Sequence, residues 1–402
     1  MTEVQGGVTA PKGFMAAGVV ADIKGNGSGK KDVAVLFSRV PCDAAGVFTT
    51  NRVKAAPVVL TQQRIKRGSL QAVVINSGNA NACTGEQGWL DANLMAELTA
   101  KALGLEPEDV AVASTGVIGV PLPMDRIRAG ITMAAASISE SGGDDAAEAI
   151  MTTDTRRKQY AVQVTIGGVP VTIGAMAKGA GMIHPNMATM LAFVTTDASI
   201  DREALQAALK QAVDKSFHMI TVDGDTSTND MVLVLANGLA RNPRISAGTP
   251  EYETFAQALE QVLIYLAKEI ARDGEGATKL LEMRVRGAAT VEDARRAARA
   301  VCGSCLVKAA VFGEDANWGR VLAALGYSGA VFDPDRVDLW LGDLPLMTAG
   351  RPVPFDEEAA ARILKQETVV FTADLHAGEA EAVAWGCDLT YDYVKINGSY
   401  RT

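Results

Sequence analysis

Short apolar runs rich in β-branched residues alternate with helical patterns along the whole 402-residue chain. Such runs, bounded by polar and glycine-rich stretches, predict β-strands. No low-complexity linker or fixed-period repeat interrupts the alternation, which is typical of an α/β fold. The predicted strands are at 33–37, 72–75, 160–166, 169–175, 191–195 and 231–235.

Apolar residues at i, i+3 and i+4 spacing predict amphipathic helices over 205–217, 255–270 and 90–98. The second of these ends at Asp273-Gly-Glu-Gly276, so Glu275 is expected just past a helix end. A further helix is predicted over 297–309. It would place Cys302 and Cys305 on one face, and we expect both to be buried structural thiols. The proline-richer segment 333–354 is expected to belong to a smaller C-terminal unit.

Composition and charge narrow the class of protein. With 48% hydrophobic and 21% charged residues, the chain has the composition of a folded globular protein. Its net charge of −9 disfavours nucleic acid and anionic membrane surfaces as partners. Five cysteines, an odd number in a long chain, favour a reducing compartment, and no signal peptide or membrane-spanning run is visible. We therefore expect a soluble, cytoplasmic protein.

Three local patterns resemble known sites without meeting their requirements. The loop 25–30 lacks the glycine and the Ser or Thr of a phosphate-binding loop, so a hairpin turn is predicted. The segment 223–230 lacks the glycine and glutamate of a calcium loop. Cys302-Gly-Ser-Cys305 has no second pair or nearby histidines for zinc. No metal is expected, and with three scattered histidines a catalytic base is not expected to be histidine.

The most unusual string is Ala177-Lys-Gly-Ala-Gly-Met-Ile-His-Pro-Asn-Met-Ala-Thr-Met-Leu191. It resembles the signature around the autocleavage site of the ornithine acetyltransferase (ArgJ) family, the glutamate N-acetyltransferases of arginine biosynthesis. Further blocks resemble that family in the same order, at 76–85, 114–119, 221–230, 317–320 and 385–402. The resemblance covers essentially the whole chain, with small departures at Ala309 and Gly398.

The resemblance implies a layered αββα sandwich of the DmpA/ArgJ-like type with a smaller C-terminal domain. It implies self-cleavage between Ala188 and Thr189, giving segments 1–188 and 189–402 that remain associated, in an α2β2 assembly. The implied reaction is ping-pong transfer of acetyl from N-acetylornithine to glutamate, without a cofactor. The sequence leaves open acetyl-CoA as a second acetyl donor.

The family's functional residues map onto definite positions of this chain. Thr189 is the implied nucleophile, and its own α-amine can act as the base because the unperturbed pKa of such an amine is about 7.7 to 8.0. Thr115 and Gly116 match the oxyanion-hole pair. Lys178 and Glu275 are suited to a substrate carboxylate and ammonium respectively. The substrate-binding positions implied by the resemblance are Thr153, Lys178, Thr189, Glu275, Asn397 and Thr402.

Two alternatives stay open at this level. One is an N-terminal-nucleophile aminopeptidase or amidase of related fold, in which water or another amine accepts the acyl group. The other is a non-catalytic small-molecule binder that keeps the fold and never cuts itself. An assay for acetyl transfer to glutamate distinguishes the first alternative from the family's reaction. Whether the chain cuts itself bears on the second alternative.

Overall fold

The structure is a computed structural model that describes residues 1–184 and 190–399. Its strands are β1 Thr2–Glu3, β2 Phe14–Val19, β3 Val33–Phe48, β4 Ser69–Asn76, β5 Val110–Ser114, β6 Lys158–Ile166, β7 Val169–Lys178, β8 Leu191–Thr196, β9 Met231–Ala236, β10 Leu280–Ala288, β11 Asp338–Leu341, β12 Leu344–Thr348, β13 Arg351–Pro352, β14 Thr368–Asp374 and β15 Ala380–Cys387. Its α-helices are α1 Ala56–Arg67, α2 Gly85–Leu103, α3 Met124–Ser137, α4 Gly143–Ala149, α5 Arg202–Asp214, α6 Pro250–Arg272, α7 Val291–Gly303, α8 Cys305–Phe312, α9 Trp318–Tyr327, α10 Glu357–Leu364 and α11 Tyr391–Ser399.

The long strand β3 connects the two halves of the larger sheet. Its strand order is β1-β6-β7-β8-β9-β3-β4-β5, with β2 also paired to β3. The first part of β3 lies between β2 and β4, whereas residues Asp43 to Phe48 pair with β9. The pairing of β3 with β4 shifts between Phe37 and Cys42, and such an irregularity bends a strand. The strand therefore passes from one half of the sheet to the other.

Alternate side chains along these strands enter different hydrophobic clusters, which defines four layers. Leu36 of β3 and Phe193 of β8 share one cluster between the two half-sheets. Val35, on the opposite face of β3, packs with residues of α2 and α3. Ala192, on the opposite face of β8, packs with residues of α5 and α6. The order is helix, sheet, sheet, helix, so the predicted αββα sandwich is confirmed.

A second sheet, of order β13-β12-β11-β14-β10-β15, is formed by residues 280–387. Helix α7 packs on β10 and β15, and α6 contacts both β6 of the first sheet and β15 of the second. The segment predicted as part of a smaller unit forms β11, β12 and β13 at one edge of this sheet. Across the predicted cleavage site, β7 and β8 pair antiparallel, with Lys178 opposite Leu191. The segments 1–188 and 189–402 thus share the first sheet, and their definition as two cleaved pieces stays a prediction.

Most of the predicted elements are confirmed. Each of the six predicted strands lies within an observed strand, and the helices expected near 90, 205 and 255 are α2, α5 and α6. The loop 20–32 joins the antiparallel strands β2 and β3, as the hairpin prediction requires. None of the helices in the described ranges has the length and apolar character to cross a membrane.

The predicted continuous helix over 297–309 is wrong. Helix α7 ends at Gly303, and Ser304 begins a new helix by accepting a hydrogen bond from the Val307 amide at 3.3 Å. Serine is a favoured N-cap and glycine a poor helix former, so the pair resets the helical phase. Cys302 is buried and Cys305 is exposed, so the expectation of two buried thiols is also wrong.

Candidate active site

A polar cavity of about 200 Å³ collects residues that are far apart in the sequence. Thr115 and Gly116 follow β5, Lys178 ends β7, Glu275 follows α6 and Asn397 lies on α11. Six of the positions implied by the family resemblance therefore line one cavity, namely Thr115, Gly116, Thr153, Lys178, Glu275 and Asn397. The remaining three, Ala188, Thr189 and Thr402, lie outside the described residues.

The backbone turn at Thr115 and Gly116 is tightly held. The Thr115 amide donates to the Asn76 carbonyl at 3.0 Å, so the group that Thr115 offers the cavity is its hydroxyl. Gly116 has φ +133°, and a Cβ at this position would approach the Gly78 carbonyl carbon to 2.3 Å. Glycine is required there both for its backbone conformation and for the space.

Lys178 brings a buried amine to the same place. The residue is 2% exposed, and its Nζ donates to Thr152 Oγ1 at 2.8 Å and to Thr115 Oγ1 at 3.4 Å. Burial lowers the pKa of Lys178, and the nearby carboxylate of Asp154 opposes that shift. The amine therefore lies beside the hydroxyl expected to bind an oxyanion. The shorter hydroxyl contact of the Lys178 amine is to Thr152, and the predicted Thr153 lines the same cavity.

A buried ion cluster supports the turn behind Lys178. Asp154 accepts from Lys158 Nζ at 2.7 Å and from the Gly179 amide at 2.7 Å. Burial alone would raise the pKa of Asp154, but the charges of Lys158 and Lys178 lower it to about 2. Lys158 also donates to Asp273, two residues before Glu275. The cluster thus ties the end of β7 to the end of α6.

The Glu275 carboxylate lines the cavity and packs against the backbone of a glycine. Its amide donates to the Ala180 carbonyl at 2.8 Å, and the residue is 8% exposed. A Cβ at Gly181 would lie 2.5 Å from Glu275 Cδ, so the carboxylate packs directly on the backbone of Gly181. Asn397 donates to Glu275 Oε2 at 2.8 Å from α11. The carboxylate is therefore held partly by a residue that lies 122 positions from Glu275 in the sequence.

Sequence reasoning missed part of the cavity wall. Asp223 accepts from the amides of Met182 and Ile183 at 2.6 and 2.9 Å, and burial raises its pKa. Burial also raises the pKa of Tyr393, and the charge of Asp223 raises it further. Both residues lie in blocks that resemble the family, at 221–230 and 385–402, but no spacing rule marks either as a wall residue.

The charges of the cavity suit a small molecule that carries charges of both signs. Lys178 offers a cation, and Glu275 and Asp223 offer carboxyl groups, inside a space of about 200 Å³. Backbone turns and threonine hydroxyls complete the lining. Over residues 1–184 and 190–399, no three His, Cys, Asp or Glu side chains are grouped so that they would hold a metal ion.

The fold and cavity define a layered α/β protein with a partly open cavity whose lining carries charges of both signs, as suits a small charged molecule. Residues 15–402 match the family model described as the ArgJ family, and the chain belongs to that family. The arginine biosynthesis bifunctional protein ArgJ of Symbiobacterium thermophilum is 76% identical over 402 residues, all of both chains. The protein of the same name from Caldanaerobacter subterraneus subsp. tengcongensis is 55% identical over 406 residues, again all of both chains.

A solved structure extends the likeness to three dimensions. The crystal structure of the arginine biosynthesis bifunctional protein argJ from Bacillus halodurans is 48% identical, with a TM-score of 0.51. The match covers 98% of that chain and 52% of the present one. The solved polypeptide is therefore about half as long as this chain.

Proposed function

We propose that this protein is a glutamate N-acetyltransferase of arginine biosynthesis, which moves acetyl from N-acetylornithine to glutamate. The observation that carries the proposal is the convergence of Thr115, Gly116, Thr153, Lys178, Glu275 and Asn397 on one cavity. The names of the close relatives, which place them in arginine biosynthesis, support the same function.

The proposed chemistry begins with Thr189 as the N-terminal residue of a cut chain. Its α-amine takes the hydroxyl proton while Oγ1 attacks the acetyl carbonyl. The hydroxyl of Thr115 and the amide of Gly116 then donate to the oxyanion. Collapse releases ornithine, whose nitrogen takes the proton, and leaves acetyl-threonine. The amine of glutamate attacks this ester by the same steps in reverse and restores the free threonine.

Charge recognition would orient the substrate during that cycle. N-acetylornithine carries an α-carboxylate and a side-chain ammonium. Lys178 is suited to the first group and Glu275 to the second. The buried Asp154, whose carboxylate faces Lys178, would favour the charged form of that amine when the substrate carboxylate arrives.

Cleavage between Ala188 and Thr189 is part of the proposal. The solved relative whose chain is about half as long as this one supports such a division. We expect the segments 1–188 and 189–402 to remain together, because β7 and β8 pair across the junction, and to assemble as α2β2 in the cytoplasm. The cycle needs no cofactor, and acetyl-CoA is proposed as an additional acetyl donor.

The two alternatives from the sequence are not favoured. An aminopeptidase or amidase would not belong to a family whose close members are named for arginine biosynthesis. A non-catalytic binder would not need a glycine forced to φ +133° beside a buried hydroxyl and amine. Hydrogen-bond donors arranged in advance in this way are typical of catalytic sites.

An acetyl-transfer assay tests the proposal. N-acetylornithine and acetyl-CoA are offered in parallel as donors with glutamate as acceptor, and N-acetylglutamate is measured. Formation from N-acetylornithine is the expected result. Hydrolysis of N-acetylornithine without transfer to glutamate would favour the amidase alternative. Inactivity with both donors in a fully cut preparation would refute the proposed reaction.

A further inference from the structure

A buried asparagine beside the proposed oxyanion donors has no role in the mechanism above. Asn229 stands two residues before the start of β9 and is 3% exposed. Its side-chain nitrogen donates to the Ser114 carbonyl at 2.8 Å and to the Ala80 carbonyl at 2.7 Å. Its side-chain oxygen accepts from the Thr228 hydroxyl at 2.5 Å. Both hydrogens of the amide are therefore engaged with backbone oxygens, and neither is left to bind a substrate.

The first of these carbonyls fixes the start of the oxyanion turn. Ser114 is the last residue of β5, and the peptide group that joins it to Thr115 is planar and rigid. Asn229 holds the carbonyl of this peptide, while its N–H donates to the Asn76 carbonyl at 3.0 Å. Because both polar groups of one rigid unit are held, the Cα atom that carries the Thr115 hydroxyl is fixed as well.

The second carbonyl fixes the far side of the same turn. The Ala80 amide donates to the Val117 carbonyl at 2.9 Å, and the Val117 amide donates to the Gly78 carbonyl at 3.4 Å. The segment 78–80 is thus paired with the residue that follows the two proposed donors. By binding the Ala80 carbonyl, Asn229 holds this segment against the turn. The proposed donors therefore lie between two anchors that one side chain provides.

The backbone on each side of this asparagine is itself held by hydrogen bonds. The Ala55 amide donates to the Thr228 carbonyl at 3.0 Å, and the Thr49 amide donates to the Asp230 carbonyl at 3.0 Å. These bonds come from the segment between β3 and α1, on the side of the residue away from the oxyanion turn. The Asn229 amide is therefore presented from a fixed backbone.

We propose that Asn229 is the positioning residue of the oxyanion site. By holding two backbone carbonyls, its side chain keeps the Thr115 hydroxyl and the Gly116 amide aimed at the acetyl oxygen. Donors that are arranged in advance stabilise a developing charge without having to reorganise during the reaction. The proposal rests on the proposed function, because that function gives the turn its oxyanion. Asn229 acts through the two donors and does not touch the reacting atoms.

The chemistry of the contacts explains why an amide is needed here. One nitrogen must donate to two carbonyl oxygens, and the side-chain amide of asparagine supplies two N–H groups from a single atom. A serine hydroxyl supplies one donor, and alanine supplies none. The two carbonyls lie in the segment 1–188 and Asn229 lies in the segment 189–402, so the amide joins the two predicted cleavage products at the oxyanion site.

The test is steady-state acetyl transfer from N-acetylornithine to glutamate by Asn229→Ala, on preparations whose cleavage is verified by mass. The value of kcat should fall by about tenfold to 10²-fold, the effect of misplacing a group that stabilises the transition state. Both half-reactions of the proposed cycle use the same oxyanion site and should slow alike, so KM should stay within about twofold of wild type. Asn229→Ser, with one donor, should have an intermediate kcat. A kcat within about threefold of wild type, or a loss confined to KM, would overturn the proposal.

A double variant shows whether the effect passes through the proposed donors. In a Thr115→Ala background, Asn229→Ala should reduce kcat by a factor at least about threefold smaller than in wild type, because one of the two groups that it positions is already absent. Losses that simply multiply would mean that Asn229 acts elsewhere, and would overturn the proposal. If Asn229→Ala folds but is cut slowly, the rate of cutting replaces kcat, because the proposed self-cleavage would need the same donors. The same order, wild type then serine then alanine, is expected.

Asn242→Ala is the matched control. Asn242 is 5% exposed, and its side-chain nitrogen donates to the Ser199 and Pro243 carbonyls at 3.1 and 2.7 Å, away from the cavity. Its loss should lower the free energy of unfolding and leave kcat at the wild-type value. If both Asn229 variants fail to fold while Asn242→Ala folds, the amide serves the fold and a positioning role is refuted. A wild-type protein that transfers no acetyl would defeat the proposed function itself, whereas an active wild type with unaffected variants defeats only the role of Asn229.

Discussion

Removing the Thr115 hydroxyl gives the sharpest test of the oxyanion site. Thr115→Ala should slow acetyl transfer while leaving the binding of N-acetylornithine nearly unchanged. An oxyanion donor bonds strongly only when negative charge develops on the acetyl oxygen, so under the proposed role the loss of the hydroxyl should destabilise the transition state. Both kcat and kcat/KM should therefore fall together.

The size of the effect follows from the contacts of the hydroxyl. In the resting site Thr115 Oγ1 meets Lys178 Nζ at 3.4 Å, whereas Thr152 keeps that amine at 2.8 Å. Losing the longer contact, between Thr115 Oγ1 and Lys178 Nζ, should therefore change the free energy of substrate binding little. Losing one oxyanion donor costs about 10²- to 10³-fold in rate, or about 2.7 to 4 kcal/mol. Thr115 is 2% exposed, so bulk water cannot freely replace the donor.

The assay is steady-state acetyl transfer from N-acetylornithine to glutamate, on preparations whose complete cleavage is verified by mass. That requirement matters because the proposed self-cleavage would pass through an oxyanion of its own. Thr115→Ser, which keeps the hydroxyl, should stay within about tenfold of wild type. Thr195→Ala removes a buried hydroxyl that donates to the Val8 carbonyl at 2.8 Å, and should affect stability alone. A cut Thr115→Ala enzyme within about threefold of wild type would refute the role of Thr115.

Three further predictions follow from burial and charge. A thiol reagent should label the exposed Cys83 and Cys305 in the native protein and leave the three buried cysteines unlabelled. Peptide mass mapping would identify the labelled residues, and rapid labelling of all five would contradict the fold. Asp154→Asn should lower the free energy of unfolding by about 3 to 5 kcal/mol, because Lys158 loses a buried partner. In the wild type, the stability that Asp154 contributes is complete above about pH 4 and disappears as the pH falls toward 2. Urea titrations at several pH values would measure this dependence. Glu275→Gln should raise KM for N-acetylornithine by about tenfold or more with a smaller change in kcat, and an unchanged KM would exclude Glu275 as the ammonium partner.

The sequence predicted strands best where burial on both faces gives a continuous apolar run. The prediction over 33–37 found only the first part of β3, which extends to Phe48. Residues 38–48 include Pro41, Asp43 and Gly46, all disfavoured in strands. Residues 43–48 are extended because they pair with β9, nearly 190 residues later in the chain. Tertiary pairing of this kind overrides local propensity and cannot be inferred from a single window.

The sequence likewise identified some residues of the candidate site and missed others. The family resemblance named Thr115, Lys178 and Glu275, and the fold brings them to one cavity. Their convergence depends on the order of strands in the first sheet, which periodicity alone does not specify. Asp223 was missed because its role is to bind backbone amides of a segment 40 residues away, and an aspartate in a polar loop carries no local mark of that contact.

Two buried carboxyls beside Lys178 have pKa values displaced in opposite directions, so their contributions to stability depend on pH in opposite ways. Asp154 has a low pKa because its bonds to Lys158 and Gly179 are made, and it stabilises the fold at neutral pH. Burial raises the pKa of Asp230, so its contribution is complete below its unfolded pKa near 3.8 and is lost as pH rises toward the folded value. In a Thr189→Ala background, which we expect to keep the chain uncut, Asp230→Asn should therefore raise Tm at pH 8 and leave it unchanged at about pH 4. Calorimetry at the two pH values measures this difference. A lower Tm at pH 8 would mean that the Asp230 carboxylate is stabilised by hydrogen bonds in the folded chain, and the upward shift of its pKa would be refuted.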